Sequence, residues 1–328
     1  MKDILNQLFN LNTLSTKTAY RVLGEIAEGQ YSNEEVASFM TVFKMRPITV
    51  EELLGFRDCL RDRSHAIDLR GVDAIDMCGK GGDGRNTFNI STIASFIVAG
   101  AGYKVAKHGN YGVSSICGSS NVMEKLGYNF TSEEDVLLKQ LDSCNICFLH
   151  APLFHPAMKA VGPVRKNLGV ATFFNMLGPM VNPSRPTRQL VGVFSQALQR
   201  YYKYIYENSD IHYQIVHSLD GYDEISLTSE AKVINTQEDK ILHPEDFGYD
   251  YLQSSDLYGG HSLDDAADIF ISILNGNGTD AQNAAVVSNA ALGIQCFKPD
   301  RELSHCVDDA RASLESGRAY DQLKKLVA

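Results

Sequence analysis

Residues 76–92 read Asp76-Met-Cys-Gly-Lys-Gly-Gly-Asp-Gly-Arg-Asn-Thr-Phe-Asn-Ile-Ser-Thr92. The run 72–77 alternates apolar residues and predicts a strand. It gives way to a loop carrying Gly79, Gly81, Gly82 and Gly84. Asn89-Ile90-Ser91-Thr92 then opens a helix through Ile93 and Phe96. A strand, a glycine loop and a helix start together make an anion site. Glycine lets a ligand approach the backbone N–H groups closely, and the helix start adds free N–H donors and about half a positive charge from its dipole. The expected ligand is a phosphate or pyrophosphate.

Outward from this stretch the chain divides in two. Up to about residue 66 the pattern is all-helical. Ser32-Asn-Glu-Glu35 and Thr49-Val-Glu-Glu52 fit the capping box, and each precedes apolar residues at helical spacing. Arg46-Pro47 breaks the pattern between them. From Val72 onward, β-rich runs at 72–77, 103–107, 146–149, 190–194 and 213–217 alternate with helical patterns at 90–100, 133–141, 198–207, 262–274 and 279–293. Runs at 231–235 and 240–242 suit antiparallel edge strands. The fold class expected is α/β: a small all-helical N-terminal domain (1–66) plus a larger domain (67–328) with a mainly parallel sheet covered by helices. The proline-rich stretch 155–188 reads either as a crossing back that completes the helical domain at about 160–185, with hinges near Gly162 and Gly178, or as a long covering loop. Ligands of parallel α/β sheets sit beyond the carboxyl ends of the strands, so the loops after Met77, Lys107, Leu149 and His217 are expected to meet at one rim.

The 328 residues are 44% hydrophobic and carry a net charge of −10, ample for a large core and unsuited to general nucleic-acid or anionic-membrane binding. No apolar run approaches the ~20 residues of a membrane span, and the first residues do not form a secretory signal. Seven scattered cysteines suit a reduced cytoplasmic protein. The lone Cys144-Asn-Ile-Cys147 spacing lacks the further ligands a zinc site needs, and buried thiols are the better reading.

Two more clusters carry chemistry. Lys107-His108-Gly109-Asn110-Tyr-Gly-Val-Ser114-Ser115, followed by Gly118-Ser119-Ser120, supplies a mobile point charge, hydroxyls and tight turns. Ser119 or Ser120 suits the cap of the helix holding Val122, Met123 and Leu126. Asp220-Gly-Tyr-Asp223-Glu224 places two carboxylates side by side, both ionised at neutral pH. A cation would relieve their repulsion. Mg²⁺ fits, because it prefers oxygen ligands and is commonly held by one or two carboxylates plus substrate phosphates, with the Ser91 hydroxyl as a further donor. Taken alone, the motif equally suits a solvated acidic turn. Arg165, in Gly162-Pro-Val-Arg-Lys, has the planar fork for bidentate capture of a carboxylate, although a surface helix arginine is the commoner case. His108 and His155 suit the same pocket without a proton-transfer role.

In this order and spacing the clusters resemble the anthranilate phosphoribosyltransferase family over nearly the whole chain. The resemblance includes His155-Pro-Ala-Met-Lys and Asn175-Met-Leu-Gly-Pro. It implies transfer of phosphoribose from phosphoribosyl pyrophosphate to the amine of anthranilate, with Mg²⁺ as cofactor. It further implies a hinge between the domains and a homodimer formed through the helical domain. Residue by residue, it assigns phosphoribosyl pyrophosphate to Gly79, Gly82, Asp83, Thr87, Asn89, Ile90, Ser91, Thr92, Lys107, His108, Gly109, Asn110, Ser114, Ser115 and Ser119. Anthranilate falls to Gly79, Asn110 and Arg165, and the metal to Ser91, Asp223 and Glu224. Lys80, Tyr111 and Ala171 stand where the family more often has Thr, Arg and Arg. The competing readings are a pyrimidine nucleoside phosphorylase, which has no need of the Asp-Gly-Tyr-Asp-Glu carboxylates, and a nucleic-acid-binding homologue, which the acidic charge disfavours.

Overall fold

The computed structural model describes residues 1–79, 85–112 and 117–328. The chain forms two compact units, Met1–Ile67 with Ala151–Arg185, and Asp68–His150 with Pro186–Ala328.

The first unit begins with helices α1 (Lys2–Phe9), α2 (Thr16–Ala27), α3 (Asn33–Met45) and α4 (Val50–Asp62). Both expected capping boxes are present: Ser32 with Glu35, and Thr49 with Glu52. Glu52 is fully buried. Its carboxylate pairs with Arg46 and also accepts the Leu14 N–H at 2.9 Å, so this buried charge is compensated from two sides. The chain then builds the first half of the second unit: β1 (Ala74–Gly79), α5 (Ile90–Gly100), β2 (Lys104–Gly109), α6 (Ser119–Lys125), α7 (Glu134–Cys144) and β3 (Ile146–His150). It returns to the first unit as α8 (Ala151–Phe154) and α9 (Met158–Leu168). Phe173 of this returning segment stacks on Phe56 at 4.5 Å and meets Phe39 and Phe43 edge-on, closing an aromatic core within the unit. No boundary falls at Gly162, because α9 runs through Gly162-Pro163; Gly178 opens a short 3₁₀ turn.

The second unit resumes with β4 (Arg188–Gly192), α10 (Gln196–Tyr206), β5 (His212–Ser218), β6 (Ala231–Asn235) and β7 (Asp239–Leu242). It ends in α11 (Leu263–Leu274), α12 (Asp280–Gln295), α13 (Leu303–Glu315) and α14 (Arg318–Val327). The sheet order is β3-β2-β1-β4-β5-β6-β7. The first five strands are mutually parallel, and β6 and β7 are antiparallel. Helix α5 is apolar on nearly all sides because it is enclosed: it packs on β1 and β2 and is covered by α12, α13 and α14. Strands β2 and β4 flank β1, and consecutive connections leave β1 and β4 in opposite directions. The switch point of the sheet therefore lies at the carboxyl ends of β1 and β4, where Gly79 pairs with Gly192.

Candidate phosphate and metal site

The Asp220–Glu224 loop is folded over this switch point. It leaves β5 at Ser218 through a turn that needs Gly221, whose φ is +103°. The turn is closed by Gly221 N–H to Ser218 O at 2.9 Å and by the Ser218 hydroxyl donating to Glu224 O at 2.6 Å. Asp220 does not face the rim. Its carboxylate accepts the Thr228 and Ser229 hydroxyls at 2.6 and 2.8 Å, which pins the base of the loop. Asn289 of α12 clamps the far side, accepting the Ile225 N–H at 3.0 Å and donating to Ile225 O at 2.8 Å. Arg85 donates to Asp220 O at 3.1 Å and lies over the Tyr222 ring at 4.7 Å.

The two glycines at the strand ends make room for this loop. A Cβ on Gly192 would lie 1.4 Å from Asp223 O, so no side chain fits there. A Cβ on Gly79 would lie 3.1 Å from Asp223 Oδ2 and 3.2 Å from Glu224 Oε1. Both carboxylates therefore converge on the end of β1, in a small pocket that Ser91 also lines. Two carboxylates and a hydroxyl are hard oxygen donors, a set that fits Mg²⁺ completed by water or substrate oxygens. Among the described residues no cluster of three or more His, Cys, Asp or Glu forms a self-sufficient metal cage.

The start of α5 differs from the expectation of free donors. Ile90 N–H bonds Phe88 O, Thr92 N–H bonds Asn89 O, and Ser91 N–H is taken by Glu224 Oε1 at 2.9 Å. An acidic side chain thus occupies the helix N-terminus, as the dipole favours. Asn89 is the N-cap residue, but its side chain donates to Cys117 O at 3.2 Å instead of capping the helix. Thr87 bridges to Tyr258, and Ile90 and Thr92 are buried with their backbone N–H groups bonded within the chain. Lys107 corrects the expectation of a mobile point charge. It is 2% exposed and donates to Met77 O, and burial lowers its pKa, an effect that Asp76, Cys78 and Glu224 oppose.

On the neighbouring strand, His108 N–H donates to the buried Asp76 carboxylate at 3.0 Å. Gly109 ends β2 and Asn110 is exposed beyond it. The cap of α6 is Gly118; Ser119 and Ser120 lie inside the helix, which corrects the expected cap. Gly82, Asp83, Ser114 and Ser115, with Lys80, lie outside the described residues.

Arg165 and His155 belong to the first unit. Arg165 lies on α9, donates to Asn175 Oδ1 at 3.3 Å and sits over the Phe174 ring at 5.4 Å. Its burial lowers its pKa. His155 is 3% exposed, and burial pushes its pKa down to about 4. Sequence reasoning missed Gly192 and Asn289. A glycine ending a second strand was the available signal for the first, whereas nothing in a helical Ser288-Asn289-Ala290 run marks an asparagine that clamps a distant loop.

The described cysteines are all free thiols, five buried and two half-buried. Among the described residues, no helix is long and apolar enough to cross a membrane.

Comparison with known proteins agrees along the chain. A glycosyl transferase family helical bundle domain matches residues 2–64, and a glycosyl transferase family a/b domain matches residues 71–320. The chain is 54% identical over 326 residues to the anthranilate phosphoribosyltransferase of Christiangramia forsetii, covering 99% of this chain and 98% of that protein. It is 52% identical over 327 residues to that of Bacteroides thetaiotaomicron, covering 100% and 98%. The crystal structure of anthranilate phosphoribosyltransferase from Thermus thermophilus superposes with a TM-score of 0.87 at 30% identity, covering 98% of each chain. The Saccharomyces cerevisiae enzyme in complex with PRPP and Mg gives 0.89 at 26% identity, covering 98% of this chain and 95% of that one.

Proposed function

The chain belongs to the anthranilate phosphoribosyltransferase family, and we propose that the rim formed by β1, β4, α5 and the Asp220–Glu224 loop is where it holds its donor substrate. It transfers phosphoribose from phosphoribosyl pyrophosphate to the amine of anthranilate, giving N-(5-phosphoribosyl)anthranilate and pyrophosphate in tryptophan biosynthesis. The observation that carries the site reading is the convergence of Asp223 and Glu224 on Gly79.

In this reading Asp223, Glu224 and the Ser91 hydroxyl hold Mg²⁺. When bound, the ion neutralises charge gathering on the departing pyrophosphate oxygens. Glu224 yields the Ser91 N–H, so that the α5 start receives a phosphate oxygen instead of a carboxylate. Lys107 adds positive potential from below. Gly79, Gly82, Asp83, Thr87, Asn89, Ile90, Ser91, Thr92, Lys107, His108, Gly109, Asn110, Ser114, Ser115 and Ser119 form the donor-binding set. Gly79, Asn110 and Arg165 serve the acceptor, Arg165 by its carboxylate-matching fork. The aromatic amine already carries a lone pair at neutral pH, so no general base is assigned; positioning does the work.

The exposed Phe9, Leu11 and Met45 of the first unit support a homodimer formed through the helical domain. The free thiols support a cytoplasmic location. The test is a fluorescence assay of anthranilate consumption with phosphoribosyl pyrophosphate and Mg²⁺, each omitted in turn. Turnover requiring all three supports this reading; undiminished turnover in a chelator removes the metal from it.

A further inference from the structure

Three residues of the second unit close a circuit around Asn110. Ser120 N–H donates to Asn110 O at 3.1 Å. The Ser120 hydroxyl meets His150 Nδ1 at 2.8 Å. The His150 ring meets the Tyr111 ring edge-on at 4.9 Å, and Tyr111 N–H returns to Asn110 Oδ1 at 2.8 Å. That last bond identifies the amide oxygen, because a backbone N–H needs an acceptor, and it turns the Nδ2 hydrogens into the outward donors of the side chain. The circuit is anchored from beneath. His150 ends β3 directly beside Gly109, is 5% exposed, and stacks on Phe130 at 4.2 Å with 17° between planes. Burial holds its pKa below the usual histidine range, so the ring is neutral and can pair with a hydroxyl without bringing charge to the rim. Asn110 itself is exposed; an exposed asparagine in a loop keeps one orientation only when its neighbours impose it.

We propose that His150 is a positioning residue for the acceptor: through Ser120 and Tyr111 it holds Asn110 with its amide N–H groups presented to the oxygen atoms of anthranilate. The inference rests on the role given to Asn110 above. Loss of one link in such a circuit forfeits about one hydrogen bond of orientation, a five- to tenfold effect on acceptor binding.

The experiment measures KM for anthranilate, KM for phosphoribosyl pyrophosphate, kcat and melting temperature. The variants are Asn110→Ala, His150→Phe, Ser120→Ala and the double variant Asn110→Ala/His150→Phe. His150→Phe keeps the stack on Phe130 and the edge to Tyr111 but severs the link to Ser120. The expected result is a five- to tenfold rise in the anthranilate KM with a clearly smaller rise in the donor KM, which Asn110 also serves, and the same from Ser120→Ala. In the Asn110→Ala background, His150→Phe adds nothing. If Asn110→Ala raises the anthranilate KM but neither His150→Phe nor Ser120→Ala does, the circuit is idle and the proposal falls alone. Additive effects in the double variant, or equal rises in both KM values, also overturn it. If Asn110→Ala leaves the anthranilate KM unchanged, the acceptor role of Asn110 falls, and this inference with it. Should His150→Phe fail to fold, Ser120→Ala decides.

Discussion

The Glu224 carboxylate accepts the Ser91 backbone N–H at 2.9 Å, joining the loop after β5 to the first turn of α5. An acidic group at a helix N-terminus contributes about 0.3–1 kcal/mol, so this contact alone does not explain why two adjacent carboxylates are held at one rim. Replacement by an uncharged isostere separates the structural role from the chemical one. For Glu224→Gln in a chelator, stability should fall by no more than about 1 kcal/mol. Mg²⁺-dependent turnover should fall on the order of 100-fold, as expected for lost transition-state charge stabilisation. Thermal unfolding and a Mg²⁺ titration of activity measure the two; preserved turnover with an unchanged Mg²⁺ response would take Glu224 out of the metal site.

Gly192→Ala tests the packing of the same loop. The added Cβ would stand 1.4 Å from Asp223 O, so the loop must shift. Overpacking of this kind costs about 1–3 kcal/mol. The expected variant melts several degrees lower, and its residual activity needs far more Mg²⁺ than the wild type. A variant with wild-type Mg²⁺ response would show that Asp223 need not sit where the structure places it.

Arg165→Ala should raise the KM for anthranilate far more than that for phosphoribosyl pyrophosphate. Loss of a charge-assisted hydrogen bond is worth about 1.5–3 kcal/mol, an effect of roughly 10- to 100-fold. Initial rates with each substrate varied in turn provide the comparison; equal rises would move Arg165 away from the acceptor.

His155 predicts an acid limb in stability. Its pKa is about 4 in the fold against about 6.5 in the unfolded chain, chiefly because burial disfavours the charged ring. Between these values the unfolded state binds more protons, so stability is complete above pH 6.5 and is lost as pH falls toward 4. The full loss from this residue is on the order of 3 kcal/mol. Burial lowers His150 and His217 in the same direction. Denaturant unfolding at a series of pH values should show a shallower slope for His155→Phe than for the wild type over this window. An identical slope would mean that His155 does not titrate as its burial demands.

Local signals carried much of the fold. The capping boxes at Ser32 and Thr49 and the boundaries of α5 were legible because caps and periodicity act over a few residues. Each strand of the parallel sheet was found with its ends within two residues of those observed, since burial on both faces blurs the alternation that marks strand limits. Helices α13 and α14 were missed, and α9 was not separated from its proline-rich surroundings because Pro163 lies inside it. At the site, the sequence named the carboxylates and the glycine loop but not their spacing. It could not show that Gly192 yields its side-chain volume to Asp223, that Glu224 holds the Ser91 N–H, or that Lys107 is buried. Those are properties of chain segments 30 to 133 residues apart, decided by the sheet order.

In the proposed site, Asp223 and Glu224 at the end of β1 hold the metal that accompanies the donor substrate. Isothermal titration of phosphoribosyl pyrophosphate into the wild type and into Asp223→Ala/Glu224→Ala, each with Mg²⁺ and with a chelator, tests it most directly. Mg²⁺ is expected to tighten binding to the wild type and to leave binding to a folded double variant unchanged. Equal Mg²⁺-dependent tightening in both proteins would contradict it.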